Sequence, residues 1–215
     1  MKTMLISNKI ENPFPVIVQR SLFDNSDLNL QLEKFVDFII STRPDVTNQK
    51  YIATENAKQV NCNLLVEYYK KEDCITQLLD DIINPCVKTW ADEHFKKLIE
   101  RELNPQLHLE SWATLYEPGS WQTPHIHRDK LFTGIYYFKM NESNGNEGAL
   151  VLQNPHLQST QPLLGGWNTH IEILPQEGEL IIIPSWISHF PKPFSKGKRG
   201  AIVFDGEFLG EKDER

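Results

Sequence analysis

Short apolar runs separated by turn residues fill the second half of the sequence, and they constrain its fold more than any other feature. Six such runs follow Asn104-Pro105, namely residues 107–116, 131–140, 149–153, 169–173, 179–183 and 200–204. Turn formers such as Pro118-Gly119 and Gly165-Gly166 interrupt them. Several short strands at this spacing are typical of a β-sandwich or jelly roll. This half of the chain is therefore predicted to be a β core.

The first half of the sequence is mainly helical in character. Residues 28–40 place apolar side chains mostly at helical spacing, and Pro44 lies beyond their end. Residues 73–103 form a longer periodic stretch, in which Pro85 is expected to kink the helix or to start a second one. Residues 54–71 fit a helix and a strand equally well.

Together these patterns predict one domain of the α+β class. Residues 1–104 form a mainly helical support region that packs on one face of a double-stranded β-helix, or jelly roll. Residues 105–210 form that jelly roll, and residues 211–215 form a charged tail. The site of such a protein is expected at the mouth of the jelly roll, which is a recurrent place for ligands.

The composition excludes several classes of protein. The chain has 215 residues, a formal net charge of -7 and no long basic stripe, so a nucleic acid backbone is not the expected partner, although a flipped base or a small anion could bind locally. Its three cysteines form no Cys-x-x-Cys pair, which predicts reduced thiols and a cytoplasmic location. No window approaches the roughly 20 apolar residues of a membrane span. The sequence indicates no oligomeric state.

Three histidines are candidates for a metal site. His125 and His127 are one residue apart, and on an extended segment their side chains point to the same side. His189 ends another very apolar run and could close a triangle around an ion. Imidazole nitrogen suits iron, zinc, copper and nickel alike, so the histidines do not select the metal. The alternative is that all three are structural residues.

The identity of the ligands stays open because of Asp129. If the strand continues as far as residue 129, Asp129 lies on the same face as His125 and His127. The commoner set of two histidines and one carboxylate would then be His127, Asp129 and His189. The rival set has three neutral histidines and one less negative charge. The residue pattern alone does not decide between them.

A fixed cation, Arg199, follows His189 by ten residues. It could be a surface residue of the run Lys196-Gly197-Lys198-Arg199. It also stands at the start of an apolar strand, where it would be buried. A metal with open positions beside a buried arginine suggests a small acid bound to the metal, and hence an oxygenase.

Residues 112–208 resemble the 2-oxoglutarate- and Fe(II)-dependent dioxygenases of the prolyl-hydroxylase-like branch. Leu115-Tyr116-Glu117-Pro118-Gly119 is similar to the Tyr-x-Pro-Gly stretch that precedes their metal motif. Thr133-Gly134-Ile135-Tyr136-Tyr137-Phe138 is similar to the following strand, and residues 178–185 to the strand that leads to the distal histidine. The spacing from His189 to Arg199 is also the one usual in that family.

A small bacterial and phage subfamily of 2-oxoglutarate oxygenases is more similar still. Its members show His-x-His, then Ser-Gly-Val-Tyr-Tyr, then Phe-Pro-Ser-Trp. The corresponding runs here are His125-Ile126-His127, residues 133–137 and Ile183-Pro184-Ser185-Trp186. This resemblance favours His125 and His127 as ligands over His127 and Asp129. It departs from prolyl hydroxylases in having a histidine where they have the carboxylate.

The resemblance also implies the cofactors and their contacts. It implies Fe(II), 2-oxoglutarate as co-substrate and O2, with Arg199 on the distal carboxylate because its planar fork can bind a carboxylate through two hydrogen bonds. Tyr116 and Tyr137 would contact the co-substrate, and Thr133 lies on the same strand face as Tyr137. The implied reaction is hydroxylation of a peptide, a free amino acid or a small metabolite, with release of succinate and CO2.

Two other functions fit parts of the sequence. A cupin-type metal enzyme without 2-oxoglutarate matches Gly119, the His-x-His pair and His189. The expected glutamate ligand is missing, because Leu131 and Phe132 occupy its positions. That absence and the presence of Arg199 both favour the oxygenase. The other alternative is a non-catalytic jelly-roll module that binds a sugar or a partner protein.

Overall fold

Nine strands are present in the residues that the computed structural model describes, which are 16–45, 57–94, 106–140, 145–155 and 169–209. In chain order they are β1 (Gln19–Leu22), β2 (Ala57–Val60), β3 (Gln106–Tyr116), β4 (Phe132–Lys139), β5 (Leu150–Gln153), β6 (His170–Ile173), β7 (Glu179–Pro184), β8 (His189–Pro191) and β9 (Arg199–Leu209). The helices are α1 (Ser26–Thr42), α2 (Leu64–Glu67), α3 (Asp73–Gln77) and α4 (Asn84–His94), with a π-helical segment (Leu78–Ile83) between the last two.

The strands form two antiparallel sheets. The larger sheet has the order β1-β7-β4-β9-β3-β2, and the smaller has the order β6-β5-β8. Consecutive strands are rarely neighbours: β4 lies between β7 and β9, and β3 pairs with β9 along its whole length. This crossing order is that of a jelly roll, so the predicted α+β class with a jelly-roll core is confirmed.

Strand β4 shows how the two faces of the larger sheet are used. Phe132, Tyr136 and Phe138 pack in one apolar cluster with the helices, whereas Ile135 and Tyr137 pack in another with the smaller sheet. Side chains alternate between faces along a strand, and both faces of β4 are buried. The space between the two sheets is therefore lined by Ile135 and Tyr137 of β4, and the candidate site lies there.

The helical region contains an irregularity that the sequence indicated. Helix α3, the π-helical segment and α4 follow one another without a gap, and the amide of Asn84 donates to the carbonyl of Leu79, five residues back. Pro85 comes directly after and has no amide hydrogen to donate. The helix therefore widens before the proline instead of ending there. The predicted extension to residue 103 lies outside the described residues.

The strand predictions are confirmed, with boundary shifts of a few residues at most sites. All six predicted runs contain a strand, and the last strand, β9, continues five residues past its predicted end at 204. The three strands that were not predicted are short: β1 and β2 have four residues and β8 has three. Residues 54–71, whose sequence fitted a helix and a strand equally well, contain both strand β2 and helix α2.

The state of the cysteines and the character of the helices relate to the predicted cellular location. Cys62, Cys74 and Cys86 are buried and unpaired, as their spacing predicted. Among the described residues, no helix is both long enough and apolar enough to cross a membrane. The cytoplasmic location remains a prediction.

A substitution at Trp90 tests whether helices and sheet unfold together. Trp90 is 1% exposed and packs its ring 5.3 Å from that of Phe132 in β4. Trp90→Ala is expected to lower the free energy of unfolding by about 3–5 kcal/mol. Because α4 and the sheet share one cluster, the protein should still unfold in a single transition. Chemical denaturation followed by far-ultraviolet circular dichroism measures both quantities.

The control for this substitution is Trp186→Ala. Trp186 is 48% exposed, so its removal should change stability by less than about 0.5 kcal/mol. Two separate transitions, of which only one responds to Trp90→Ala, would contradict the single-domain prediction.

Candidate active site

The three histidines singled out in the sequence lie together between the sheets. One ring nitrogen from each of His125, His127 and His189 lies within 4.8 Å of the others. Two backbone hydrogen bonds join His125 and His189, with N···O distances of 3.1 and 2.9 Å, in an isolated antiparallel bridge. The amide of His127 donates to the carbonyl of Ser185 at 2.9 Å. Backbone pairing of two chain segments thus brings the cluster together.

Hydrogen bonds on the far side of each ring determine which nitrogen is free. The Nδ1–H of His125 donates to the carbonyl of Thr123, and that of His189 to the carbonyl of Ile187, both at 2.9 Å. The Nδ1–H of His127 donates to the carboxylate of Asp205 at 2.8 Å. Because these oxygens only accept, the neutral form of each ring has its proton on Nδ1, which leaves the Nε2 lone pair free. The buried Nε2 of His127 has no hydrogen-bond partner.

His125 and His189 also have the protonation state that a metal requires. Burial, reinforced by the neighbouring His125, lowers the pKa of His189 to about 3. Burial likewise lowers the pKa of His125. Both rings are therefore neutral at physiological pH, and neutral imidazole is the form that binds a metal ion.

Asp129, the alternative ligand, lies away from this cluster. The extended backbone ends after His127, and residues 128–129 form a turn in which Asp129 has a φ of 62°. Its side chain is exposed, and the cluster found among the described residues consists of the three histidines alone. Asp129 would share a face with His125 and His127 only if the extended backbone continued to residue 129. The turn at residues 128–129 ends the extended backbone, so Asp129 does not share that face.

Arg199 lies buried in the same cavity. It is 3% exposed, and its Nη1 donates to the carbonyl of Gly148 at 3.0 Å, while its Nη2 is buried without a partner. The guanidinium lies over the ring of Tyr116, 4.5 Å from the centroid, and 5.6 Å from that of Phe194. Within the described residues it forms no ion pair. An anion can satisfy a buried cation that is otherwise surrounded by aromatic rings and a neutral carbonyl.

The two tyrosines and the threonine predicted to bind co-substrate differ in position. Tyr116 and Tyr137 line the cavity that contains the histidines and Arg199, and the hydroxyl of Tyr116 donates to Gln122 Oε1 at 3.2 Å. Burial raises the pKa of both tyrosines, so both remain protonated donors. Thr133 is fully buried outside the cavity lining, and its hydroxyl donates to Asp205 at 2.7 Å.

Sequence reasoning missed two residues that hold His127. Asp205 is 78 residues away in the chain, and Trp112 stacks on the His127 ring with centroids 5.6 Å apart. The one signal available was the acidic residue within the apolar run Ala201-Ile202-Val203-Phe204-Asp205. A carboxylate in a buried strand must find partners, because burying a lone charge is costly. The sequence does not say which partners.

The cavity joins two groups that lack partners. Its walls contain the three histidines, Arg199 and the apolar side chains of Ile135 and Leu150. The imidazole nitrogens of the histidine cluster lie on one side of this cavity, and the unpaired Nη2 of Arg199 lies on another. A metal ion satisfies the first, and a carboxylate satisfies the second. The residues present therefore fit a metal together with a dicarboxylic acid.

A segment of the chain matches a known protein family. Residues 110–205 match the model of the family described as "Putative 2OG-Fe(II) oxygenase". This segment contains the histidine cluster, Arg199, both cavity tyrosines and Asp205. No curated protein sequence matches the chain.

Solved structures extend the likeness of the fold to most of the chain. A prolyl-4-hydroxylase from Pseudomonas putida is 13% identical, with a TM-score of 0.56 over 88% of this chain and 91% of that one. A Trichoplax adhaerens prolyl hydroxylase, in complex with a hypoxia inducible factor peptide fragment, is 17% identical, with a TM-score of 0.57 over 90% and 84%. HygX from Streptomyces hygroscopicus, with nickel, 2-oxoglutarate and hygromycin B bound, is 12% identical, with a TM-score of 0.52 over 89% and 82%.

The comparisons decide between the functions that the sequence left open. At such identities the solved structures establish a shared fold, and the family match carries the activity. Neither a cupin without 2-oxoglutarate nor a non-catalytic binding module corresponds to the matched family. Fe(II) and 2-oxoglutarate are named in the description of the matched family, in agreement with the cofactors that the resemblance implied. Residues 110–205 thus match a family of 2OG-Fe(II) oxygenases, and the fold of the chain is shared with prolyl hydroxylases of known structure.

Proposed function

We propose that this oxygenase binds Fe(II) through His125, His127 and His189, and the far carboxylate of 2-oxoglutarate through Arg199. One observation carries the proposal. The cavity that contains these residues has two buried polar atoms without partners, His127 Nε2 and Arg199 Nη2. Leaving such atoms unsatisfied costs about 1–3 kcal/mol each, and more for a charged group. A metal-bound dicarboxylic acid satisfies both at once.

The charges of the site support this assignment. Imidazole ligands bring no charge of their own to a metal, and Arg199 forms no ion pair among the described residues. An anion that enters the cavity therefore meets two positive groups, the ion and the guanidinium. Tyr116 and Tyr137 add protonated hydroxyls, and hydroxyl donors strengthen binding of a carboxylate.

The side chains position and enclose the reactants. When bound, Fe(II) and 2-oxoglutarate supply the oxygen-activating chemistry that amino acid side chains lack. Ile135, Leu150 and Val203 line the cavity and exclude water from the reacting groups. Arg199 fixes one end of the co-substrate, and so it orients the other end toward the histidines. The proposed reaction is hydroxylation, with release of succinate and CO2.

We propose a peptide, a free amino acid or a small metabolite as the substrate. The mouth of the site contains both signs of charge, with Glu110, Arg128 and Lys130 beside Trp112 and Gln122. Such a surface does not favour a polyanion, which needs a continuous basic groove. Among proteins of this fold, one holds a peptide fragment and another hygromycin B. Succinate release should rise severalfold with a substrate from these classes, and stimulation by oligonucleotides alone would contradict the choice.

Removing His189 tests the metal site. Anaerobic addition of Fe(II) and 2-oxoglutarate to the protein should give the weak visible absorption of a 2-oxo acid chelated to iron. His189→Ala removes one ligand, so this absorption should disappear. The control is His170→Ala, because His170 lies outside the cluster with its side chain 45% exposed, and this variant should absorb as the original protein does. Absorption that survives His189→Ala unchanged would refute the assignment.

Substituting Arg199 tests the anion clamp separately from the metal. Arg199→Gln removes the charge, and the Kd of 2-oxoglutarate measured by calorimetry with Mn(II) should rise at least about 30-fold, equivalent to about 2 kcal/mol for a lost buried charge pair. Arg199→Lys keeps the charge but loses the planar fork, so its effect should be intermediate. Mn(II) binding without 2-oxoglutarate should not change. A Kd within twofold of the original in both variants would contradict the clamp.

A further inference from the structure

Asp205 is a buried carboxylate on strand β9, directly behind the histidine cluster. It is 7% exposed, and both of its oxygens lie 2.8 Å from Nδ1 of His127. Thr133, its partner in the register of β4 and β9, donates its hydroxyl to Oδ1 at 2.7 Å. Two donors therefore converge on one carboxylate, and Asp205 forms no other ion pair within the described residues.

We propose that Asp205 is a positioning residue that holds His127 in the tautomer with a free Nε2 and supplies negative charge to the metal site from one hydrogen bond away. The inference rests on the proposed function, in which His127 is a ligand. It assigns to Asp205 the charge that a ligand set of three histidines lacks. A carboxylate bonded to a ligating histidine also fixes the ring orientation and raises the basicity of the ligating nitrogen.

His127 differs from the other two histidines in the kind of partner it has. The Nδ1–H groups of His125 and His189 donate to backbone carbonyls, which are neutral. The Nδ1–H of His127 alone donates to a carboxylate, and Trp112 stacks on its ring with an interplanar angle of 16°. The stack and the hydrogen bond together restrict rotation of the ring. The charge of the site therefore acts through His127 specifically.

The chain contains its own controls for this effect. Because the partners of His125 and His189 are backbone atoms, no substitution at position 205 removes them. Glu207 lies two residues farther along β9 and pairs with Lys130 at 3.2 Å, and it does not contact His127. Glu207→Gln therefore removes a nearby negative charge while it leaves the tautomer of His127 alone.

Nitrogen chemical shifts of the histidine rings in the metal-free protein report the tautomers directly. In the original protein and in Glu207→Gln, all three rings should show the proton on Nδ1. In Asp205→Leu, which has no acceptor, His127 should move toward the form with the proton on Nε2, and His125 and His189 should not. Asp205→Asn offers one acceptor oxygen to two donors, so His127 should move in the same direction. If Asp205 had only a structural role, its substitution would not change the tautomer of His127 while leaving those of His125 and His189 unchanged.

The metal itself supplies the second measurement. Co(II) titration should give an affinity about 10–100-fold weaker in Asp205→Asn than in the original protein, and an unchanged affinity in Glu207→Gln. Failure of the original protein to bind Co(II) would count against the proposed function, whereas the tautomer of His127 would still decide the role of Asp205. The inference is overturned if His127 keeps its proton on Nδ1 in both variants at position 205. If Asp205→Leu does not fold, Asp205→Asn alone decides.

Discussion

The backbone bridge between His125 and His189 is the interaction on which the site depends. It joins the segment after β3 to the start of β8, and the pairing of His127 with Ser185 extends the same contact. Residues 64 positions apart in the sequence thereby present their rings to one point. Backbone hydrogen bonds hold this placement. The proposed ligands are therefore held in place by the backbone, and an ion would bind with little further ordering of the chain.

The site contains groups that the folded protein does not satisfy by itself. A buried guanidinium without an anion and a buried imidazole nitrogen without a donor both disfavour the ligand-free state. Elsewhere the same strands satisfy their buried polar groups, as the contact of Thr133 with Asp205 shows. These two groups lie in one cavity, as is expected of a binding site rather than of ordinary packing.

The sequence predicted the parts of this structure that depend on local pattern. The six longer strand runs, the first helix and the His-x-His pair all follow from periodicity and spacing. It could not place Asp129, because the turn at residues 128–129 ends the strand and no breaker such as glycine or proline marks it. It also missed Asp205, whose partner His127 comes close only after β9 pairs with β4. Thr133 shared the expected face with Tyr137, yet its hydroxyl is taken up by Asp205.

The most direct test of this account is a crystal structure of the protein grown without oxygen in the presence of Fe(II) and 2-oxoglutarate. The account predicts an ion bound to the Nε2 atoms of His125, His127 and His189, with the far carboxylate of 2-oxoglutarate on Arg199 and Asp129 remaining in solvent. A carboxylate oxygen of Asp129 on the ion in place of His125, or 2-oxoglutarate bound away from Arg199, would contradict it.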